Sequence, residues 1–180
     1  MGGVSIAIEA LSPHHAPGHQ TALVTLLQDA VDSGASLGFL PPLDAGEATA
    51  YWATVIDDVR EGSRLLLVAP GADGGIVGSV QLDLALRANA RHRAEVTKLM
   101  VHRAARRRGI GRALMVELEA HARQLGRTTL VLDTREGDPS ERLYRALGYT
   151  FVGAIPRYAR SAGGALDPTA IYYKLLEPAG

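Results

Sequence analysis

The chain has 180 residues, enough for one domain with a substantial hydrophobic core, and we expect that domain to span residues 1–180. Its 47% hydrophobic and 21% charged residues exclude disordered and collagen-like classes, and its 19 basic residues balance 19 acidic ones. Cysteine is absent, which excludes disulfides, zinc–thiolate sites and an acyl-cysteine intermediate, and no metal site is expected.

The first half of the chain is predicted to form a strand, two helices and a hairpin. "SIAIEAL" alternates as a strand does, and leucines at three- and four-residue spacing then indicate an amphipathic helix. Gly62 ends the second helix, and the turn "GADGG" joins the two hairpin strands. In chain order these elements are a strand at 5–11, helices at 18–33 and 44–62, and strands at 64–70 and 76–86.

The second half alternates strands and helices. Its elements are a strand at 95–102, a helix at 112–126, a strand at 128–134, a helix at 138–148, and strands at 149–158 and 170–176. For the last helix we predict Asp138 as N-cap, Glu141 as the partner in a capping box and Gly148 as the left-handed C-terminal residue. The order predicts a mixed α/β fold whose sheet is partly antiparallel.

One short stretch, "RRRGIG" at 106–111, stands out in this neutral chain. From Lys98 to Arg112 there are six basic residues and no acidic one. A strand that leads into a glycine-rich turn and a helix directs free backbone N–H groups and the positive end of the helix dipole at one point. The stretch therefore predicts a local binding site for a phosphate or pyrophosphate group, with a solvated turn as the alternative.

Other anion-binding classes fit this stretch less well. A dinucleotide fingerprint needs a third small residue where Leu114 stands, and no Lys-Ser or Lys-Thr pair follows the glycines as in a P-loop. Nucleic-acid binding calls for a wide basic face, yet the net charge is zero and only 5% of residues are aromatic. The start of the chain lacks a signal-peptide pattern and no apolar run has the length of a membrane span, so we expect a cytoplasmic protein.

Taken with its flanks, the stretch resembles a known motif. Arg106-x-x-Gly109-x-Gly111, after the strand "VTKLMVH", is similar to the acyl-CoA-binding motif of the GCN5-related N-acetyltransferase (GNAT) family, and "SERLYRALGYTFVG" is similar to the family's second signature. "VTKLMV", "LDT" and "LDPTAIYYK" resemble the branch that contains tabtoxin-resistance acetyltransferases. The resemblance implies a mostly antiparallel sheet of about seven strands, flanked by about four helices and splayed where acyl-CoA binds.

The resemblance also implies acetyl-CoA as the cofactor. It implies main-chain hydrogen bonds to the pantetheine arm from Leu99, Met100 and Val101. The pyrophosphate would be held by backbone N–H groups of six consecutive residues, namely Arg107, Arg108, Gly109, Ile110, Gly111 and Arg112. Arg103 and Arg106 could add charge for the phosphates. A homodimer is a further possibility, because dimers are common in the family.

Direct attack of an amine on a thioester needs a base for the amine and a proton for the departing thiolate. Tyr144 occupies the position of the family's tyrosine and is the candidate acid; its alternative role is packing on the sheet. Glu95 and Asp133 are the candidate bases. Glu95 is predicted to share its strand face with Thr97, Leu99 and Val101, but it could pair with nearby basic residues, and Asp133 could instead bind the substrate ammonium. His92 and His102 are interpreted as surface or cap residues.

The acceptor pocket is expected in "GASLGFLPP", the second helix and "RYARSAGG". Phe39, Trp52, Arg157 and Tyr158 are its candidate walls, with core packing as the alternative for Trp52, and Arg157 or Arg135 could bind an acceptor carboxylate. The predicted activity is acetyl transfer from acetyl-CoA to a primary amine of a small molecule, either amino-acid-like or an antibiotic or toxin. The alternatives are a peptide or protein N-acetyltransferase and a CoA-binding sensor without catalysis.

Overall fold

The computed structural model describes residues 6–178. Its four helices are α1 (Gln20–Asp32), α2 (Ala45–Glu61), α3 (Ile110–Gln124) and α4 (Ser140–Ala146). Its strands are β1 (Glu9–Ala10), β2 (Arg64–Pro70), β3 (Ile76–Leu84), β4 (Arg93–Val101), β5 (Thr129–Arg135), β6 (Thr150–Arg160) and β7 (Leu166–Leu175). No helix in this part of the chain combines the length and apolarity needed to cross a bilayer.

All seven strands of the described residues form one sheet in the order β1-β2-β3-β4-β5-β7-β6. Every neighbouring pair is antiparallel except β4 and β5, which are parallel. These two strands pair only from Arg93 to Glu95 against Thr129 to Val131, and they separate beyond that point. The predicted mixed, mostly antiparallel and splayed sheet is confirmed.

Side-chain alternation along the strands builds a core on each face of the sheet. On β2, Leu67 and Ala69 belong to a cluster with the buried side of α3 and with Tyr144 of α4. Leu66 and Val68 point the other way, into a cluster with the leucines of α1 and with Trp52 of α2. We call these the α3/α4 face and the α1/α2 face.

A β-bulge in β4 changes which side chains share a face. The register with β3 shifts between Ser79 and Gln81, and Lys98 at the bulge has a φ of 52°. Before the bulge Ala94 and Val96 lie on the α3/α4 face, and after it Leu99 and Val101 pack against that same cluster. The prediction that Glu95 shares a face with Leu99 and Val101 is therefore wrong, because an extra residue reverses the alternation.

The N-terminal cap of α4 differs from the prediction, whereas the C-terminal end agrees with it. Pro139 occupies the N-cap position, and the Asp138 carboxylate pairs with Arg135 instead of capping the helix. Glu141 does reach back, accepting a hydrogen bond from the Gly137 N–H at 2.6 Å. Gly148 has a φ of 84°, as predicted for the left-handed residue after the helix.

The boundaries of four strands also differ from the prediction. β7 begins within the predicted turn "SAGGALDP", because "LDPT" pairs with β6 and β5. β3 ends before residue 86, and β4 begins before residue 95. The predicted first strand is reduced to the two residues of β1, with Ser5 outside the described residues.

Candidate active site

The separation of β4 from β5 opens a cleft of about 630 Å³. Its walls come from β4, the ends of β5 and β7, the first residues of α4, and the loop that follows α1. Residues of the cleft that carry candidate chemistry are Glu95, Thr97, Lys98, Arg106, Asp133, Arg135, Tyr144 and Tyr158. Both predicted bases and the predicted acid are thus brought to one place.

The N-terminus of α3 lies where β4 ends, as "RRRGIG" predicted. Gly109 is the residue before the helix with a φ of 84°, and no described side chain caps the first-turn N–H groups. α2 is different, because the Asp44 carboxylate accepts hydrogen bonds from the N–H groups of Gly46 and Glu47. A Cβ at Gly111 would meet only ordinary contacts, so protein packing does not demand glycine there. An anion that lies against this backbone would demand glycine there, because a Cβ would keep the anion away from the N–H groups.

The basic side chains of this region have different roles. Arg103 binds Asp29 of α1 through both its guanidinium and its backbone N–H, at 2.5 and 2.8 Å. The expectation that Arg103 adds charge for the phosphates is therefore weakened, because an acidic partner already neutralises it. Arg106 donates to the Val101 carbonyl and to Ser33 at the edge of the cleft. Arg107, Arg108 and Arg112 are not buried.

Leu99, Met100 and Val101 form the part of β4 that has no β5 partner. Met100 and Val101 pair with β3 on their other side, and the Met100 side chain is buried on the α1/α2 face. The β4 edge facing the cleft is consequently a strand edge without a β5 partner, where the Val101 carbonyl accepts a hydrogen bond from Arg106 instead. This geometry suits main-chain hydrogen bonding to an extended ligand.

Tyr144 reaches the cleft from the α3/α4 face. Only 6% of the residue is exposed, and its ring packs near those of Tyr149 and Tyr172 at centroid distances of 5.9 and 6.1 Å. Burial, with a smaller contribution from the charges of Asp133 and Asp138, raises the pKa of its hydroxyl well above the ordinary value. The hydroxyl therefore keeps its proton at neutral pH, as an acid must before it acts.

Glu95 lies on the opposite, α1/α2 face, at the last position where β4 still pairs with β5. It lines the cleft beside Asp83 of β3, its cross-strand neighbour, and near Asp133 of β5. Burial, then the like charges of Asp83 and Asp133, raises the pKa of the Glu95 carboxyl. A carboxylate with a raised pKa is a stronger base at neutral pH.

Asp133 is held more firmly than Glu95. Its Oδ2 accepts a hydrogen bond from the buried hydroxyl of Thr169 on β7 at 2.9 Å. The carboxylate is thereby fixed at the end of β5, still exposed to the cleft. This arrangement suits a group that positions a cation.

A row of polar side chains continues from Glu95 beneath α2. Arg64 of β2 forms ion pairs with Asp83, at an N–O distance of 3.0 Å, and with Asp58 of α2, at 3.1 Å. The Tyr51 hydroxyl of α2 donates to Gln81 at 3.0 Å, and burial raises the pKa of Tyr51 to about 12. We call Tyr51, Arg64, Gln81, Asp83 and Glu95 the acceptor-side polar row. This row was not predicted from the sequence. Polar residues that alternate with apolar ones along the strands were the signal that could have indicated it.

Lys98 lies among these polar side chains and not at the proposed anion site at the N-terminus of α3. Its Nζ lies 5.8 Å from the centre of the Tyr51 ring and close to Gly38 in the loop after α1. Burial lowers the pKa of its ammonium group, although the nearby carboxylate of Asp133 opposes that change. The bulge explains the difference, because it directs this one side chain toward the α1/α2 face.

The predicted acceptor walls separate in the structure. Tyr158 lines the cleft, and Phe39 lines an adjoining pocket and packs edge-on against Tyr51 at 5.3 Å. Trp52 is fully buried in the α1/α2 core, so it cannot form a wall. Arg157, with a φ of 55°, lines neither pocket.

Two further predicted roles change. Arg135 bonds Asp138 at 2.9 Å, lies 3.9 Å from Asp167, and donates to the Gly34 carbonyl at 3.2 Å, which links β5 to the loop after α1. It is thus neutralised by acidic residues and unsuited to an acceptor carboxylate. His102 caps the turn after β4 and lies 3.4 Å from Asp29, in agreement with the cap interpretation.

Comparison with known proteins identifies the family. The sequence profile of the acetyltransferase (GNAT) family matches residues 28–149, more than half of the chain. The chain belongs to the GNAT family of acetyltransferases. GNAT enzymes are N-acetyltransferases that use acetyl-CoA as the acetyl donor, so acetyl-CoA is the cofactor of this enzyme.

Solved structures of GNAT proteins share the fold over nearly the whole chain. Ribosomal-protein-alanine N-acetyltransferase from Brucella melitensis superposes with a TM-score of 0.76 at 24% identity, covering 95% of this chain and 100% of its own. The GNAT phosphinothricin acetyltransferase from Sinorhizobium meliloti, solved with acetyl-CoA, superposes with a TM-score of 0.78 at 20% identity, covering 98% and 91%. At these identities the likeness concerns the fold and leaves the acceptor open.

Proposed function

We propose that this GNAT enzyme acetylates the primary amine of a small molecule by direct attack of the amine on acetyl-CoA. One observation carries the proposal: Glu95 and Tyr144 line the same cleft from opposite faces of the sheet. A base on the α1/α2 face and an acid on the α3/α4 face are the two groups that such a transfer needs. Both line the cleft where β4 and β5 separate.

The residues present fit acetyl-CoA. The uncapped N–H groups of α3, together with Gly109 and Gly111, form a cradle for a pyrophosphate, and the free edge of β4 at Leu99–Val101 suits the pantetheine arm. When bound, acetyl-CoA supplies an acetyl group activated as a thioester. Arg107, Arg108, Ile110 and Arg112 are proposed to contribute backbone N–H groups, and Arg106 its charge.

The chain's own side chains then have separate tasks. Glu95 accepts the proton of the amine, since its raised pKa makes it a stronger base than an ordinary glutamate. Asp133, fixed by Thr169, positions the acceptor's cationic end. Tyr144 donates a proton to the departing thiolate sulfur. The sequence has no cysteine, so no acyl-cysteine can intervene.

The rim of the cleft supports a small acceptor. Arg135 joins the end of β5 to Gly34 in the loop after α1, and its partners Asp138 and Asp167 hold it there. This link lies between the cleft and the adjoining pocket at Phe39, because Arg135 and Gly34 line both spaces. An extended polypeptide would need a continuous groove across that position. Tyr158 is proposed as an acceptor wall.

The test is release of CoA thiol from acetyl-CoA with a panel of amino acids, aminoglycosides, polyamines and short peptides, corrected for hydrolysis. We expect turnover with one small amine class and none with peptides. Turnover confined to peptides would overturn the small-molecule assignment. Acetyl-CoA binding without turnover of any amine would instead support a CoA-binding sensor.

A further inference from the structure

The chain contains only two lysines, Lys98 and Lys174, among its 19 basic residues. The Nζ of Lys174 donates to the buried Glu119 carboxylate at 2.7 Å and to the Leu147 carbonyl at 2.6 Å. Among the described residues, Lys98 Nζ has no such hydrogen bond or ion pair, and its contact is the face of the Tyr51 ring. One of the two lysines is thus a structural cation, and the other is an amine without a fixed partner inside the cleft.

The backbone places this amine on the side where an acceptor amine must lie. Lys98 has a φ of 52°, a left-handed conformation that residues other than glycine rarely adopt. The bulge turns its side chain toward the α1/α2 face, whereas Leu99 and Val101 turn away from it. The side chain shares the cleft with Glu95 and Asp133.

The surroundings of Lys98 favour a reactive amine. Burial lowers the pKa of the ammonium group, and Arg64 adds to this effect, while the carboxylates of Asp133, Asp83 and Glu95 oppose it. A neutral amine is the form that attacks a thioester. The same carboxylates can accept the proton that the amine loses.

We propose that Lys98 is a self-acetylation site, which takes the acetyl group from acetyl-CoA bound in the same chain when no acceptor is present. The neutral Nζ attacks the thioester carbonyl carbon, a C–N bond forms and the C–S bond breaks. The proton that leaves the amine goes to Glu95, and it balances the proton that Tyr144 gives to the thiolate as free CoA thiol departs. The inference rests on the proposed function.

Acetylation of Lys98 would change the acceptor side of the cleft in two ways. It removes the positive charge that lies among Glu95, Asp83 and Asp133, and it adds an acetyl group beside Tyr51. The added acetyl group takes up space next to Glu95 and so opposes binding of an acceptor amine there, whereas loss of the positive charge does not repel a cationic acceptor. Acetylated enzyme is therefore expected to turn over acceptor amines more slowly while it still binds acetyl-CoA.

The first test is incubation of the full chain with acetyl-CoA and no acceptor, followed by intact mass measurement and peptide mapping. We expect one acetyl group on the peptide that contains Lys98 and none on Lys174, which serves as the internal reference. The rate constant should not depend on protein concentration, since the transfer is within one chain. Lys98→Arg should abolish this incorporation, and Glu95→Gln should slow it by roughly 10²-fold if Glu95 takes the proton.

Thiol release with the amine panel, measured on the same preparation, separates this inference from the proposed function. Turnover of an amine with no acetyl group on Lys98 would overturn self-acetylation and leave the function standing. Equal acetylation of Lys98 and Lys174, or labelling at the same rate in Glu95→Gln, would also overturn it, because both indicate chemical acetylation without the site. No turnover and no labelling would contradict both proposals.

A second test needs no acetyl-CoA. Trace labelling of the free protein with acetic anhydride compares the intrinsic reactivity of the two lysine amines. Lys98 should react faster than Lys174, because its amine is free of hydrogen bonds and its pKa is lowered. Faster reaction at Lys174 would overturn the assignment of Lys98 as the reactive amine.

Discussion

Tyr144 and Glu95 acquire their acid and base character from different surroundings. Tyr144 is buried among aromatic rings on the α3/α4 face, which disfavours its phenolate. Glu95 is partly buried on the α1/α2 face and lies near the carboxylates of Asp83 and Asp133, and its burial, followed by these like charges, disfavours its ionised form as well. A rise in pKa therefore makes the tyrosine hold its proton and the glutamate accept one more readily.

Tyr144→Phe keeps the packing of the ring and removes only the hydroxyl. We expect kcat to fall by roughly 10²-fold or more, since a positioned general acid contributes about that factor, while the Kd of acetyl-CoA stays unchanged. Steady-state kinetics and calorimetry measure the two quantities. Tyr149→Phe is the matched control, because Tyr149 is a buried tyrosine of the same cluster that does not line the cleft. Normal kcat in Tyr144→Phe at every pH would rule out Tyr144 as the acid.

Glu95→Gln tests the base through the pH profile. In the wild-type enzyme kcat/KM should rise as pH increases through the pKa of Glu95, because only the ionised carboxylate accepts a proton. That rise should lie above the ordinary glutamate range, since the pKa is raised. The glutamine variant should lose the rise and run roughly 10²-fold slower. If Asp133→Asn removes the rise and Glu95→Gln retains it, Asp133 is the base.

Among the elements, α3 differs from α2 in how the backbone N–H groups of its first turn are hydrogen-bonded. Asp44 caps α2 from within the chain, whereas the first N–H groups of α3 lack a described side-chain cap. Unpaired N–H groups at a helix start attract anions through both hydrogen bonding and the helix dipole. The element is thus prepared for a ligand at some cost to its own stability.

Gly109→Ala tests this role of α3. A side chain at a φ of 84° is strained by on the order of 1 kcal/mol, so the first turn should shift and the Kd of acetyl-CoA should rise, by about tenfold. Titration calorimetry measures the affinity. Gly126→Ala is the matched control, because Gly126 has a φ of 68° and open space but lies at the far end of α3. An equal affinity in the two variants would contradict the pyrophosphate assignment.

At the scale of the whole molecule, the turn that presents α3 is attached to the opposite layer. Asp29 of α1 accepts two hydrogen bonds from Arg103, a residue 74 positions away, and faces His102. Burial alone would raise the pKa of Asp29, but the hydrogen bonds from Arg103 and the nearby positive charges outweigh it and lower the pKa. The α1/α2 layer therefore holds the turn that contains the proposed anion site.

Asp29→Asn should lower the free energy of unfolding by about 1–3 kcal/mol at pH 7. A carboxyl whose folded pKa is depressed stabilises the fold above its unfolded pKa, and that contribution disappears as pH falls through the folded value. The difference between variant and wild type should accordingly shrink in acid. Urea denaturation at neutral and acidic pH measures it. Asp57→Asn, in an exposed pair with Arg60, is the control and should cost about 0.5 kcal/mol or less. Equal losses in both variants, or a loss independent of pH, would contradict the assigned role.

Much of the fold could be predicted because its signals are local. The helices α1 to α3, the hairpin and the glycine turn depend on spacing, capping and backbone freedom within a few residues. The fold class and the family followed from the same short patterns and are confirmed. The cytoplasmic location, the branch of the family and the homodimer stay predictions.

From the sequence alone, an anion site could be predicted where "RRRGIG" begins a helix, because a glycine turn and a helix start are properties of consecutive residues; the glycine turn and the helix start are present in the structure. Only the tertiary structure decided the other side of the cleft. A single bulge reversed the alternation of β4 and turned Lys98 toward the α1/α2 face. Trp52 is likewise buried in the core. Arg103 pairs with Asp29 and Arg135 lies near Asp167, two acidic residues that are distant in the sequence and lie on other elements. Such contacts depend on strand register and packing between layers, which no local pattern encodes.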